Sequence, residues 1–240
     1  MSPQAVASPP REPGTVPSRR RAIMAVPALA GIAYAASWVA GLSVAPSSTS
    51  VRPTGSAVLA SYAGHFGAAT AQFVLTEGTA SVLLGVVVVA LGRAGLRAGA
   101  RRSAWLTLGA GLTAAAIGIV QCGLGLYLTS SVVPAGRAGE AAALTDLISR
   151  LDGVKMLLLA ATAIAAAAMA RRTGLLPRWL QWTGLALAVA IIASGIGYVL
   201  LIGSLALAAW VSLPLLLVWV TSVGILLARP GRAARAAAVR

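Results

Sequence analysis

Four polar side chains lie in stretches that are otherwise apolar, and they are the best candidates in this sequence for chemistry. Glu77 lies 16 residues before Arg93, and Lys155 lies 16 residues before Arg171. On α-helices that rise about 1.5 Å per residue, both would lie about 24 Å from an arginine-marked end. An ionisable group in an apolar medium is costly, so each is a candidate site that needs a partner.

Gln121 and Asp152 extend this set. Gln121 follows Arg102 by 19 residues, which on an antiparallel helix gives a height similar to that of Glu77. Asp152 precedes Lys155 by three residues and therefore shares its helix face. We expect Glu77, Gln121, Asp152 and Lys155 to form an outward-facing polar pocket between the second, third and fourth helices, where a small solute, an ion or a proton binds.

A purely structural interpretation accounts for the same residues. In it, Lys155 extends to the outer interface beside Asp152, and Glu77 is a satisfied hydrogen-bond partner between helices. His65 is expected to be exposed at the outer face, and Cys122 to be a small packing residue. Because the chain has one histidine and one cysteine, histidine clusters, multi-cysteine metal sites and intrachain disulfides are excluded.

Motifs of catalysis are missing from the sequence. It contains no G-x-S-x-G elbow, Walker A loop, dinucleotide fingerprint or HExxH pair. No catalytic residue, metal or cofactor is therefore predicted, and whether the chain is an enzyme stays open, with nothing in favour of it.

The elements that carry the four residues are predicted to be membrane-spanning helices. Hydrophobic residues make up 58% of the 240 residues and charged residues 10%, against about 25% charged in soluble domains. Apolar runs reach the roughly 20 residues that cross a bilayer, and the uncharged run Thr183–Ala228 is long enough to fold back near Gly203. The sequence predicts an all-α bundle with spans at about 22–45, 69–92, 104–128, 151–170, 180–202 and 207–228.

Flanking segments complete the predicted domain organisation. Residues 1–18, rich in Pro and Ser, should be a disordered cytoplasmic tail, residues 19–229 the transmembrane domain, and residues 230–240 a short basic tail. Ser43-Val44-Ala45 resembles a signal-peptide cleavage site, but the apolar run is too long for one, so an uncleaved helix is preferred. Residues 56–67 are expected to form an outer amphipathic segment.

Basic residues indicate the orientation. They outnumber acidic residues 19 to 5, and with both termini in the cytoplasm 15 of the 19 lie on that side. Retention of positive charge thus explains the net charge of +14, and no nucleic-acid partner is predicted. A composition rich in Ala, Gly and Arg with a single Lys is typical of a high-GC bacterium, so the expected location is the inner (plasma) membrane.

The order of these elements resembles a family of six-helix bacterial membrane proteins that carry a domain of unknown function. The resemblance rests on the amphipathic stretch before the second span, on Gln121 in the third, and on the linker GLLPRWL over Gly174–Leu180 before Gly184. It covers roughly residues 25–205. It implies the six-helix architecture and no activity.

Three classes of function are compatible with these observations. The leading hypothesis is a small multi-pass protein that binds or transports a small solute. A non-catalytic scaffold or sensor acting through a membrane-protein partner or a homo-oligomer is the alternative, and a lipid-modifying enzyme comes third. The lipid bilayer is the one partner that all three require.

Overall fold

The chain is helical in every region that its computed structural model describes. These regions are residues 18–44 and 51–229, with the side chains of the first helix described from residue 25 onward. Within them, six helices are long and apolar enough to cross a membrane, as expected, and no strand is found. The predicted tails 1–18 and 230–240 lie outside the described residues, except Ser18, which begins the first helix. Residues 45–50 and the side chains of Arg19 to Arg21 also lie outside them.

We call the six long helices spans 1 to 6. Their bounds are Ser18–Val44, Phe66–Arg97, Arg101–Val132, Ala138–Thr173, Arg178–Leu200 and Gly203–Ala228. Three of them are irregular. Span 2 is π-helical over Val74–Thr79, span 3 ends in the π-helical turn Leu128–Val132, and span 6 consists of the short turn Gly203–Ala206 followed by the helix Ala209–Ala228.

Spans 3 and 4 are longer than a bilayer requires. They contain 32 and 36 residues, or about 48 and 54 Å, against roughly 30 Å of hydrocarbon. Span 4 begins at Ala138, well before the apolar run at 151, because Leu144 and Ile148 pack with the short helix Gly55–Tyr62 (the cap helix). The outer amphipathic segment expected before span 2 thus corresponds to a helix that covers the projecting ends.

The six spans form a closed ring. Each span packs against the next one in sequence, and span 6 returns to span 1. That closure is tight, since Gly31 and Gly224 each face backbone of the opposite helix and Thr221 Oγ1 donates a hydrogen bond to the Gly31 carbonyl at 2.9 Å. Span 4 is the most buried of the six, so any polar side chain in its middle must find its partners within the protein.

Local sequence explains where the helices turn. Gly174 ends span 4 in the left-handed conformation (φ 68°), which glycine adopts without steric cost, and its N–H bonds the Ala170 carbonyl at 2.8 Å. Pro177 then immediately precedes span 5. This turn lies at the same end of the bundle as the turn between spans 2 and 3, because Gly95 contacts Met169.

The outer surface of the bundle is apolar. Leu29, Val82, Val120, Val189 and Val218 are all more than half exposed, although they belong to the middle parts of five different helices. A water-soluble protein would not present such a surface, whereas lipid tails match it. Bilayer contact is therefore the environment that this surface fits.

Candidate functional site

Glu77 lies in the π-helical turn of span 2. In this turn the Ala80 N–H bonds the Leu75 carbonyl, five residues back, and the same carbonyl accepts a 2.6 Å hydrogen bond from Ser37 Oγ of span 1. Short π segments within α-helices occur frequently at functional sites, where the extra residue redirects a side chain. The irregular backbone thus falls at the residue that the sequence singled out in this span.

Lys155 of span 4 forms ion pairs with two carboxylates. Its Nζ atom lies 2.6 Å from Glu77 Oε2 and 2.7 Å from Asp152 Oδ1. Glu77 is 8% exposed and Lys155 6% exposed, so this contact is shielded from solvent. We call these three residues the buried triad. When all three groups are ionised, it carries one more negative than positive charge.

Glycines allow each of the two helices that carry the triad to approach a neighbouring helix closely. A Cβ atom at Gly118 of span 3 would meet Ser81 Oγ and lie 3.3 Å from the Glu77 carbonyl oxygen. A Cβ atom at Gly153, next to Asp152, would lie 2.6 Å from the Gly195 carbonyl oxygen of span 5. Small residues at such crossings are the usual means of close helix packing in membranes.

A cavity of about 50 Å³ lies beside the triad, bounded by spans 1, 2, 4, 5 and 6. A single water needs roughly 10–15 Å³, so the cavity has room for several waters or one very small solute. Asp152 and Lys155 line it directly, and Glu77 is linked to it through Lys155. The other polar or aromatic lining residues are Tyr34, Trp38, Thr76, Ser81 and Ser212.

Gln121 lies apart from this cavity. It is 1% exposed, and its Nε2 atom donates a hydrogen bond to the Ile148 carbonyl of span 4 at 3.1 Å. Its Oε1 atom is buried and has no hydrogen-bond partner within residues 18–44 and 51–229. The structure thus brings together three of the four predicted site residues. The expected pocket between the second, third and fourth helices is corrected in its position: span 3 does not line the cavity, because its polar group is turned toward the backbone of span 4.

Of the two parts of the purely structural interpretation, the structure agrees with the one for Glu77 and disagrees with the one for Lys155. Lys155 does not extend to a surface, because its ammonium group is held inside the bundle by Glu77 and Asp152. Glu77 is a partner between helices, as that interpretation requires. His65 is exposed, and Cys122 is partly exposed and packs close to Gly78.

Sequence reasoning missed the residues of spans 1 and 6. Tyr34, Ser37 and Trp38 follow one another at helical spacing, which was a readable sign of a polar face on span 1. Tyr34 is buried, and the Trp38 indole N–H is shielded and has no hydrogen-bond partner among the described residues. Ser212 gave no comparable signal, since a serine in an apolar run is common.

No group of three or more His, Cys, Asp and Glu side chains in the described part of the chain could hold a metal ion. Comparison of the chain with protein-family models, with curated proteins and with solved structures finds no match. The function is therefore argued from the triad and the cavity.

Proposed function

We propose that this chain is a multi-pass membrane protein that binds a small solute in the cavity beside Asp152 and Lys155. The observation that carries the proposal is the buried triad, of which Asp152 and Lys155 belong to the most buried span and line a cavity with room for one very small solute. The triad also joins two helices that are far apart in sequence, so a solute bound there would contact several spans at once.

Stability alone is a poor reason for such a triad. A buried ion pair repays the loss of hydration only with excellent geometry, and well-packed apolar residues of similar volume often do as well or better. Alanine, leucine and valine make up most of the buried core, so apolar side chains are the ordinary means of packing in this bundle. Ionisable residues within apolar spans most often mark the path of a solute or an ion.

An accessibility experiment tests whether the cavity serves an aqueous solute. In a Cys122→Ala background, Ser212→Cys places a thiol on the cavity wall and Val211→Cys places one on the lipid-facing surface. Methanethiosulfonates react with the thiolate, which forms where water is present. We expect 2-aminoethyl methanethiosulfonate to modify Ser212→Cys at least ten times faster than Val211→Cys in lipid nanodiscs, as followed by mass spectrometry.

Equal, slow modification of the two thiols would contradict the proposal, because a dry cavity offers nothing to a solute in water. In that case the scaffold or sensor alternative would gain support. Loss of the folded protein in either variant would show as aggregation in size-exclusion chromatography and is checked first.

We further propose that the protein lies in a bacterial plasma membrane with both termini in the cytoplasm. Charge supports this orientation: Glu140 and Asp146 belong to the opposite end of the bundle from a set of eight exposed arginines. The eight are Arg93, Arg97, Arg101, Arg102, Arg171, Arg172, Arg178 and Arg229.

Thiol labelling of intact cells tests the orientation. In the Cys122→Ala background, a membrane-impermeant maleimide should label Ala135→Cys, in the exposed turn between spans 3 and 4, and leave Arg172→Cys unlabelled until the cells are lysed. The reverse pattern would overturn the proposed topology.

A further inference from the structure

We propose that the solute bound in the cavity is a small monovalent cation, held at Asp152. This inference rests on the proposed function and names its ligand class. It depends on the charge balance of the cavity wall, on the atoms that line the cavity, and on the size of the cavity.

The charge balance favours a cation. The triad has two carboxylates and one ammonium group, and Lys155 is the one basic residue of the described chain that lines the cavity. Arg150, two residues before Asp152 on the same helix, is exposed and donates to the Val199 carbonyl at 2.9 Å. An uncompensated charge in a low-dielectric interior is costly, so a bound cation that restores neutrality is stabilised there.

The two carboxylates are not equivalent. Glu77 has an 11% exposed side chain and lies behind Lys155, whereas Asp152 has a 20% exposed side chain and lines the cavity. Asp152 Oδ1 contacts Lys155 Nζ. Of the two carboxylates of the triad, that of Asp152 is the one that a molecule in the cavity would contact. A cation therefore binds at Asp152 without displacing the short contact between Lys155 and Glu77.

The other polar residues of the cavity wall are compatible with a cation. Thr76, Ser81 and Ser212 line the cavity and are each less than a tenth exposed. Hydroxyl and carboxylate oxygens are hard ligands that prefer hard cations. Tyr34 and Trp38 also line the cavity, and the face of an aromatic ring attracts a cation. An anion would find Lys155 already engaged by two carboxylates and would be repelled by their excess charge.

The size of the cavity further limits which cations it can bind. About 50 Å³ accommodates sodium or potassium with a water, ammonium, or methylammonium. Choline is bulkier than all of these cations and has no N–H to donate, so it is the reference cation of the comparison. The panel of chloride salts that tests the inference is therefore sodium, potassium, ammonium and methylammonium, with choline chloride as the replacement that keeps ionic strength constant.

The experiment measures thermal unfolding of the purified full chain in nanodiscs of zwitterionic lipid. We expect at least one small cation to raise the midpoint temperature saturably, by on the order of 5–10 °C at 100 times its half-saturating concentration, and choline to have no effect. Asp152→Asn should abolish the shift and leave Lys155 paired with Glu77. Asp146→Asn is the matched control, because this residue lies on the same helix, outside the cavity, beside Arg52.

A second measurement keeps the inference testable if Asp152→Asn does not fold. The same cation should slow the modification of Ser212→Cys in the Cys122→Ala background, at least threefold relative to choline. The inference is overturned if no small cation differs from choline in both assays, or if Asp152→Asn keeps the full shift. Rapid modification of Ser212→Cys without any cation effect would refute the cation and leave the solute-binding cavity standing, whereas slow modification would refute the cavity itself.

Discussion

Replacing Lys155 should destabilise the protein more than replacing either carboxylate beside it. Lys155→Met leaves Glu77 and Asp152 side by side without a cation, whereas Glu77→Gln leaves Lys155 paired with Asp152 at 2.7 Å. Removing one partner of a buried pair costs about 3–5 kcal/mol, since the other charge stays buried and unpaired. Glu77→Gln keeps an acceptor oxygen beside Lys155, so it should cost less, about the 1.5–3 kcal/mol of a hydrogen bond to a charged group.

These values translate into separate midpoints. For a chain of this length each kcal/mol shifts the midpoint by about 2–4 °C, so we expect a decrease of roughly 6–20 °C for Lys155→Met and a smaller one of roughly 3–12 °C for Glu77→Gln. The double variant Lys155→Met/Glu77→Gln should be more stable than Lys155→Met alone, although it has lost more contacts, because it removes one of the two repelling carboxylates.

The assay is tryptophan fluorescence of the detergent-purified chain during heating at one fixed scan rate, pH and low salt. Arg137→Met serves as the control, because Arg137 pairs with Glu140 at the same 2.6 Å but the pair is largely exposed, and exposed pairs contribute about 0–1 kcal/mol. If Lys155→Met is no less stable than Glu77→Gln, or if the double variant is the least stable of the three, the reasoning from charge balance is refuted.

Three further predictions concern the helix contacts that position the triad. Gly153→Ala should lower the midpoint temperature and the folded yield, because the added Cβ would press on the backbone of span 5. Gly123 faces open space, so the control Gly123→Ala should leave the midpoint temperature and the yield unchanged or slightly higher. Gly118→Ala should likewise destabilise the fold by about 1–3 kcal/mol relative to Gly123→Ala on the same helix, and equal midpoints would contradict the close approach of spans 2 and 3. Ser37→Ala should cost only about 1 kcal/mol, because the Leu75 carbonyl keeps its backbone partner; a larger loss would mean that the serine holds the π-helical turn in place.

The architecture was largely predictable from local sequence. Apolar runs of sufficient length, arginines at their ends and glycine or proline between them predicted six helices, and six helices of that kind are found in the described residues. The outer extension of span 4 was also foreseeable from the spacing of Leu144 and Ile148. These features depend on solvation and on neighbouring residues, so they can be read without knowing the packing.

The candidate site was predictable only in part. Glu77, Asp152 and Lys155 stood out because ionisable residues are rare in such runs, and equal distances from arginines placed Glu77 and Lys155 at one height. The same reasoning also included Gln121, which has a similar height but turns toward Ile148. Height along a helix follows from residue counting, whereas the direction of a side chain around the helix axis depends on the rotation that packing selects.

By itself the sequence determined that this chain forms six apolar helices and that a few costly charges lie within them, because both follow from the transfer of side chains between water and oil. The tertiary structure alone decided which charges meet. The contact between Glu77 and Lys155 joins positions 78 residues apart, and it requires a π-helical turn in span 2 and the glycine contacts of spans 3 and 5. Such a contact depends on the shapes of several helices at once, so it cannot be predicted from any single segment of the sequence.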